Sequence, residues 1–230
     1  MIHLINTSKS YKTPFGMKTV IRPTTLSIPV HRRIGILGRN GAGKSTLINM
    51  IAGVEKPSDG MVVRSCSVSW PLGFSGGLHP ELSGVENVIF VSRIYNTDSA
   101  AALDFVKEFS ELGHYLYSPV KTYSTGMKAR LAFGMSLAVD FDCYLVDEVT
   151  GVGDARFQRK SRKAFLARQE RSGMLFVSHN ETSVRQYCEM AIVIYDGHLV
   201  PFESLDEAIA FYQDTSNLEI QATTPARRRA

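Results

Sequence analysis

An α/β fold with a mostly parallel sheet is what the sequence predicts. Short apolar runs alternate with helical runs, one such run opens into a glycine-rich turn followed by a helix, and two later runs end in polar residues. In chain order, Arg33-Ile-Gly-Ile-Leu37 reads as a strand, and Lys44 to Ala52 as a helix stopped by Gly53. Pro57-Ser-Asp-Gly60 is a turn, and Met61-Val-Val63 after it is strand-like. Residues 82 to about 123 are mainly helical in pattern, with segments Val85–Tyr95 and Ser99–Leu112, and read as a helical lobe inserted into the α/β core. Ser124 is an N-cap candidate for a further helix with Leu131, Met135 and Ala138 as its buried stripe, which takes the lobe to approximately 82–138. Cys143-Tyr-Leu-Val146 and Met174-Leu-Phe-Val177 read as buried strands with functional groups at their C-terminal edges. Asp154 to Arg171, with Phe157, Ala164, Phe165 and Leu166 as its apolar positions, reads as an amphipathic crossover helix. Ile192 to Val200 carries the Asp-Gly signal of a β-hairpin, and from Thr215 the chain turns polar and reads as a disordered tail. The expected organisation is one domain over 1–214 and a polar, basic tail over 215–230.

Composition narrows the function. The chain has 230 residues, 44% of them hydrophobic and 21% charged, as in an ordinary folded protein. Its 26 Lys and Arg exceed its 22 Asp and Glu by four, and Arg227, Arg228 and Arg229 account for three of those four. A body so near neutrality is not built as a basic surface, so no nucleic-acid partner is expected. Nowhere are there the ~18 consecutive apolar residues of a membrane span, and the N-terminal Met1-Ile-His-Leu-Ile-Asn6 lacks a secretory pattern. A cytoplasmic location follows as an expectation. Cys66, Cys143 and Cys188 lack metal-ligand spacing and are expected to be buried, small and apolar.

Chemistry enters at Gly38-Arg39-Asn40-Gly41-Ala42-Gly43-Lys44-Ser45-Thr46, which fits G-x-x-x-x-G-K-[ST] between a strand and a helix. Glycines there let backbone N–H groups turn inward around phosphates, and the helix N-terminus adds positive potential. Lys44 is suited to the β- and γ-phosphates of ATP, and the Ser45 hydroxyl to Mg²⁺. Neither Gly73-Phe-Ser-Gly-Gly77 nor Gly151-Val-Gly153 has the context or spacing of a second such loop. A phosphate loop alone leaves kinases, GTPases, motor ATPases and transporter ATPases open. Asp147, at the end of an apolar strand, is placed to hold the Mg²⁺ water shell, and Glu148 to orient or deprotonate the attacking water. His179 follows the last apolar strand in Val177-Ser-His-Asn180. A lone histidine at a strand end is ordinarily a surface group, but strand C-termini of a parallel sheet share one rim, which brings it toward the γ-phosphate with Lys44 and Glu148.

At Tyr123-Ser-Thr-Gly-Met-Lys-Ala-Arg-Leu-Ala-Phe133 the chain resembles the ATP-binding cassette superfamily, whose serine-glycine signature opens a helix ahead of the acidic strand. The resemblance runs from residue 1 to about 214. It implies a P-loop NTPase with a mostly parallel core sheet, an N-terminal antiparallel β part and an inserted helical subdomain. It implies a head-to-tail homodimer in which Ser124, Thr125 and Gly126 of one copy close on the γ-phosphate held by the other. On the same ground Tyr11 is the aromatic residue that stacks on adenine, and Gly151-Val-Gly-Asp154 is the loop that contacts the second copy. Asp154 is equally placed to cap the helix from Ala155.

Finer features are similar to the ATP-binding subunits of bacterial polysaccharide exporters, particularly the capsule branch. They are the glutamine-free Tyr123 to Arg130, Asp147-Glu-Val-Thr-Gly-Val-Gly-Asp-Ala-Arg-Phe-Gln158, Ser69 to Pro80, Phe90 to Tyr95, Arg185 to Cys188 and Asp206 to Tyr212. One departure is the lack of any Gln between Trp70 and Asn87, where most transport cassettes place a residue that contacts Mg²⁺ and the membrane partner. Gly73 to Leu78 and the helical lobe are the expected coupling surface instead. The resemblance implies an ATPase subunit on the cytoplasmic face of the inner membrane, energising polysaccharide export through an integral membrane permease that makes most of the sugar contacts. Rivals are a chromosome, repair or translation ATPase, a nucleotide-sensing interaction module, and an exporter of O-antigen or teichoic acid. Only 80 residues separate Lys44 from Ser124, too few for a long coiled-coil insertion, and a single phosphate loop is present. With only a short stretch after Asp214, a C-terminal carbohydrate-binding domain such as some O-antigen ATPases carry is not expected.

Overall fold

Twelve residues of strand, Ile2–Thr13 (β1), turn at Gly16 into a second strand, Gly16–Ile28 (β2), and the two pair antiparallel from Thr13↔Gly16 to Ile2↔Ile28. The other elements are β3 (Arg33–Leu37), α1 (Lys44–Ala52), β4 (Asp59–Arg64), β5 (Val68–Pro71), α2 (Gly84–Ile94), α3 (Ser99–Ser110) and α4 (Thr125–Ala138). After them come β6 (Cys143–Asp147), α5 (Ala155–Gln169), β7 (Gly173–Val177), α6 (Glu181–Tyr187), β8 (Met190–Tyr195), β9 (His198–Phe202) and α7 (Leu205–Thr223). This is a computed structural model, and it describes residues 1–72, 75–147, 154–169, 171–178 and 180–223, without the side chains of 75, 169 and 216–223. The chain forms two compact units, one made of Met1–Ser65 and the chain from Leu175 onward, the other of Cys66–Met174, with the division inside β7.

In the first unit β1 lies between β2 and β4 in an antiparallel sheet, the N-terminal β part the resemblance implied. A second, mixed sheet runs in the order β7-β3-β8-β9, with β3 and β8 parallel and β8 and β9 an antiparallel hairpin closed by Tyr195↔His198. β3 and β8 are buried along nearly their whole length, so they read as unbroken apolar runs rather than as alternation. Leu47, Ile48, Met50 and Ile51 of α1 are buried, and α1 ends at Gly53, as the sequence predicts. A Cβ at Gly35 would stand 2.8 Å from Val184 Cγ1, so glycine lets α6 lie close against β3.

The second unit holds the parallel pair β5 and β6 and a helical cluster. α2 starts with a full capping box, Ser83 accepting from the Glu86 N–H while the Glu86 carboxylate accepts from the Ser83 N–H. Val88, Val106, Leu116, Val120, Leu131 and Met135 form the centre of the cluster. The buried Asn87 amide is satisfied by the His79 N–H and by the carbonyls of His79, Leu82 and Ser83, which ties that loop to α2.

Several expectations need correction. α4 is buried continuously from Leu131 to Leu137, because neighbours close on most of its circumference, and Ala138, expected in a buried stripe, is only half-buried. On α5 the buried line is Phe157, Ser161 and Phe165, one residue every fourth position, whereas Ala164 is half-buried and Leu166 is 37% exposed. Cys143 and Cys188 are buried as expected, but Cys66 is half-buried. The polar stretch expected to begin at Thr215 starts as helix, since α7 runs to Thr223 and the Thr215 hydroxyl donates to the Phe211 carbonyl at 2.8 Å. Among the described residues no helix is long and apolar enough to cross a membrane.

Leu131→Ala is expected to lower unfolding free energy by about 2–5 kcal/mol in urea titration, because the site is fully closed around the side chain. Burial pushes the Cys188 thiol up to about 12, so in the native protein at pH 8 a maleimide should label Cys66 well before Cys188 or Cys143.

Candidate functional site

The loop from Gly38 to Gly43 joins β3 to α1, as its motif required. Gly43 caps α1 with a left-handed backbone at φ 108°, and a Cβ there would lie 2.6 Å from Val20 Cγ1. Both the conformation and the crowding demand glycine. No side chain caps α1, so its first turn keeps the donors and positive end of the helix for an outside acceptor. The Lys44 ammonium donates to the carbonyls of Gly38 at 2.6 Å and Arg39 at 2.9 Å, which holds it against the loop. An incoming phosphate oxygen competes with those carbonyls for the same cation. Arg39, Asn40, Gly41 and Ser45 are exposed, whereas Gly38 is buried and Ala42 and Thr46 are half-buried. A cavity of about 400 Å³ opens beside Arg39, Asn40, Gly41 and Ala42, lined also by Lys18 to Val20 of β2, the Ile194 to Gly197 turn and Tyr212 and Thr215 of α7.

Tyr11 lies on β1, and its hydroxyl donates to Glu55 Oε1 at 2.7 Å and stands 3.3 Å from Thr46 Oγ1 in the first turn of α1. Burial and the bond to Glu55 push the Tyr11 hydroxyl above its ordinary pKa. No local sequence signal marks Glu55, because 44 residues separate it from Tyr11 and only the fold brings them together.

Ser124 caps α4, accepting from the Met127 N–H at 3.2 Å, and Ser124, Thr125 and Gly126 are all exposed. Among the described residues a Cβ at Gly126 would meet only Ser124 Oγ, at 3.9 Å, so none of them requires glycine there. Asp154 caps α5, its carboxylate accepting from the N–H groups of Arg156 and Phe157 at 3.0 and 2.9 Å. Arg130 of α4 donates to the other carboxylate oxygen at 3.0 Å, lies 4.5 Å from the centre of the Phe157 ring, and approaches Glu111 at 3.8 Å. This arginine was also missed; its signal was only its position on the helix that Ser124 opens. The Phe157 N–H bond, with Arg130 and Arg156 after it, holds the Asp154 carboxyl below its usual range.

Asp147 ends β6 and is half-buried, with Val146 behind it closed off. Among the described residues there is no cluster of three His, Cys, Asp or Glu that would hold a metal by itself. Mg²⁺ in a phosphate site needs only one or two protein oxygens, the remainder coming from phosphate and water; the exposed Ser45 hydroxyl and, separately, the Asp147 carboxylate are each oxygen donors of that kind. Glu148 and His179, together with the Gly151 to Gly153 loop, lie outside the described residues.

The ABC transporter family model matches residues 21–151, which span the phosphate loop, the signature and the acidic strand. The chain belongs to the ABC transporter family. It is 49% identical to the capsule polysaccharide export ATP-binding protein CtrD of Neisseria meningitidis serogroup B, over 92% of this chain and 98% of that protein. It is 47% identical to the ATP-binding protein BexA of Haemophilus influenzae, over 94% and 99%. Its fold is similar to that of the dimeric ATP-binding cassette MJ0796 in a post-hydrolysis state bound to ADP and Pi, with TM-score 0.71 and 22% identity over 89% of this chain and 99% of that one. ABC cassettes of this fold bind ATP, and the loop, its lysine and the uncapped helix start of this chain have the chemistry for it.

Arg130→Ala should raise the Asp154 pKa only part of the way to its usual value, since the two N–H bonds remain, and a carbon-detected NMR titration reads the shift. A lowered carboxyl pKa stabilises the fold above the usual carboxylate range and loses that stabilisation as pH falls through the lowered value. The stability difference between wild type and Asp154→Asn should therefore be constant at neutral pH and shrink on acidification.

Proposed function

We propose that this chain is the ATPase subunit that energises export of a capsular-type cell-surface polysaccharide through an integral membrane permease. The observation that carries the reading is its likeness, over nearly the full length of both chains, to the capsule export protein CtrD, combined with a phosphate loop whose backbone and lysine are arranged for a nucleotide. The permease supplies the membrane path and most sugar contacts. No nucleic acid takes part, and the ATPase sits on the cytoplasmic face of the inner membrane.

In this reading ATP is bound by Gly38 to Thr46, with Tyr11 against the base. Lys44 neutralises the β- and γ-phosphates, and Ser45 and Asp147 would hold Mg²⁺. When bound, that ion supplies positive charge to the phosphate oxygens. Glu148 takes the proton of the attacking water, and His179 contacts the γ-phosphate. A second copy contributes Ser124, Thr125 and Gly126, which lie exposed at the start of α4. Asp154 of that copy sits at the same junction. Nucleotide binding favours the closed dimer only because the closed form makes contacts to phosphate that the open form lacks, and hydrolysis removes them.

Two measurements test this reading. Lys44→Ala should abolish ATP binding, and Glu148→Gln should keep binding but accumulate a nucleotide-bound dimer with turnover reduced by about two orders of magnitude or more; rapid steady hydrolysis by Glu148→Gln would remove that residue from the chemistry. The substrate class is tested by restoring capsule export in cells that lack their own export ATPase but keep the permease. Restoration by wild type and not by Lys44→Ala supports the reading, and failure of the wild type to restore any export counts against it.

A further inference from the structure

We propose that Glu55, braced by Lys9, positions the Tyr11 ring for stacking against a purine base. The inference rests on the reading that Tyr11 takes the base of bound ATP. A tyrosine on an exposed strand face ordinarily has freedom about both side-chain torsions, and an aromatic platform that rocks loses part of its stacking energy to ordering when a ligand arrives. Tyr11 is 37% exposed, yet its hydroxyl is tied down, donating to Glu55 Oε1 at 2.7 Å with Thr46 Oγ1 at 3.3 Å.

Glu55 is itself held in place. Its backbone N–H donates to the Asn49 carbonyl of α1 at 3.1 Å, and its carboxylate pairs with Lys9 Nζ at 2.9 Å. Lys9 in turn donates to the Lys56 carbonyl at 2.7 Å, and its ammonium lies 5.1 Å from the centre of the Tyr11 ring. The Lys9 and Glu55 side chains are only 13% and 25% exposed, so the pair is far less screened than a freely solvated surface bridge. Burial alone would push the Glu55 carboxyl up, but the bonds from Lys9 and Tyr11 and the charge of Lys9 outweigh it and leave the group below its ordinary range. It is thus a carboxylate at neutral pH, able to accept from both the phenol and the ammonium at once.

The result is a ring with a cation over it and its hydroxyl anchored to the helix that begins at the phosphate loop, on a residue that is still 37% exposed. Thr46 follows Ser45 directly, so the anchor couples the place of the base to the place of the phosphates. Glu55 touches no nucleotide in this arrangement and acts through Tyr11 as a positioning residue.

The test compares two ligands on the full chain by titration calorimetry: Mg-ATP, which has a base, and Mg-tripolyphosphate, which does not. Glu55→Ala should weaken ATP binding about three- to tenfold, the worth of one charge-assisted hydrogen bond, and leave tripolyphosphate binding unchanged. Glu55→Gln, which keeps one acceptor and the side-chain volume, should recover part of the loss. In a Tyr11→Ala background, Glu55→Ala should add nothing further. Equal weakening of both ligands by Glu55→Ala and by Glu55→Gln would show general damage to the loop and overturn the proposal. Unchanged ATP affinity in both Glu55 variants, with a loss in Tyr11→Ala, would overturn the positioning role and leave the base reading standing. Unchanged ATP affinity in Tyr11→Ala would overturn the base reading and the proposal with it.

Discussion

Gly43 holds a left-handed backbone with the Val20 side chain where a Cβ would stand, and this close approach sets where α1 begins against β2. Everything the first unit offers a nucleotide is positioned from that point. An uncapped first turn, the Lys44 ammonium on the Gly38 and Arg39 carbonyls and the Thr46 hydroxyl beside Tyr11 all follow from the place where the helix starts. The apolar residues of α1 keep that start from shifting, because moving the helix by one residue would expose Leu47 and Met50 or bury Asn49.

The second unit solves a different problem. Its signature helix is anchored along its length by burial from Leu131 to Leu137, while its first residues stay exposed and, among the described residues, a Cβ at Gly126 would meet only Ser124 Oγ. Arg130 and Glu111 join that helix to the capped start of α5 through Asp154, so two segments distant in sequence are held together by charge and by the Phe157 ring. The start of that helix thus stays exposed while the rest of it is fixed by packing.

Short-range signals made much of this legible. The strand before the loop, α1 with its stop at Gly53, the two acidic or polar strand ends and the hairpin at Asp196-Gly197 are set by local periodicity and turn chemistry, and they appear where the pattern put them. What periodicity misjudged was burial. Leu166 faces outward although it is apolar, and Ser161 faces inward although it is not, because a helix buries whichever stripe its neighbours cover. α4 shows the limit more sharply: no stripe can describe a helix surrounded on most sides.

By itself the sequence determined the phosphate loop and its lysine, because a contiguous motif needs only its own strand and helix to take shape, and it determined the family for the same reason. Tertiary structure alone decided who holds those residues in place. Glu55 meets Tyr11 across 44 positions, and Arg130 meets Asp154 across 24, and no local pattern marks either pair. Partners so far apart come together only when the chain has closed on itself, since it is burial of the intervening apolar residues that brings their backbones within reach.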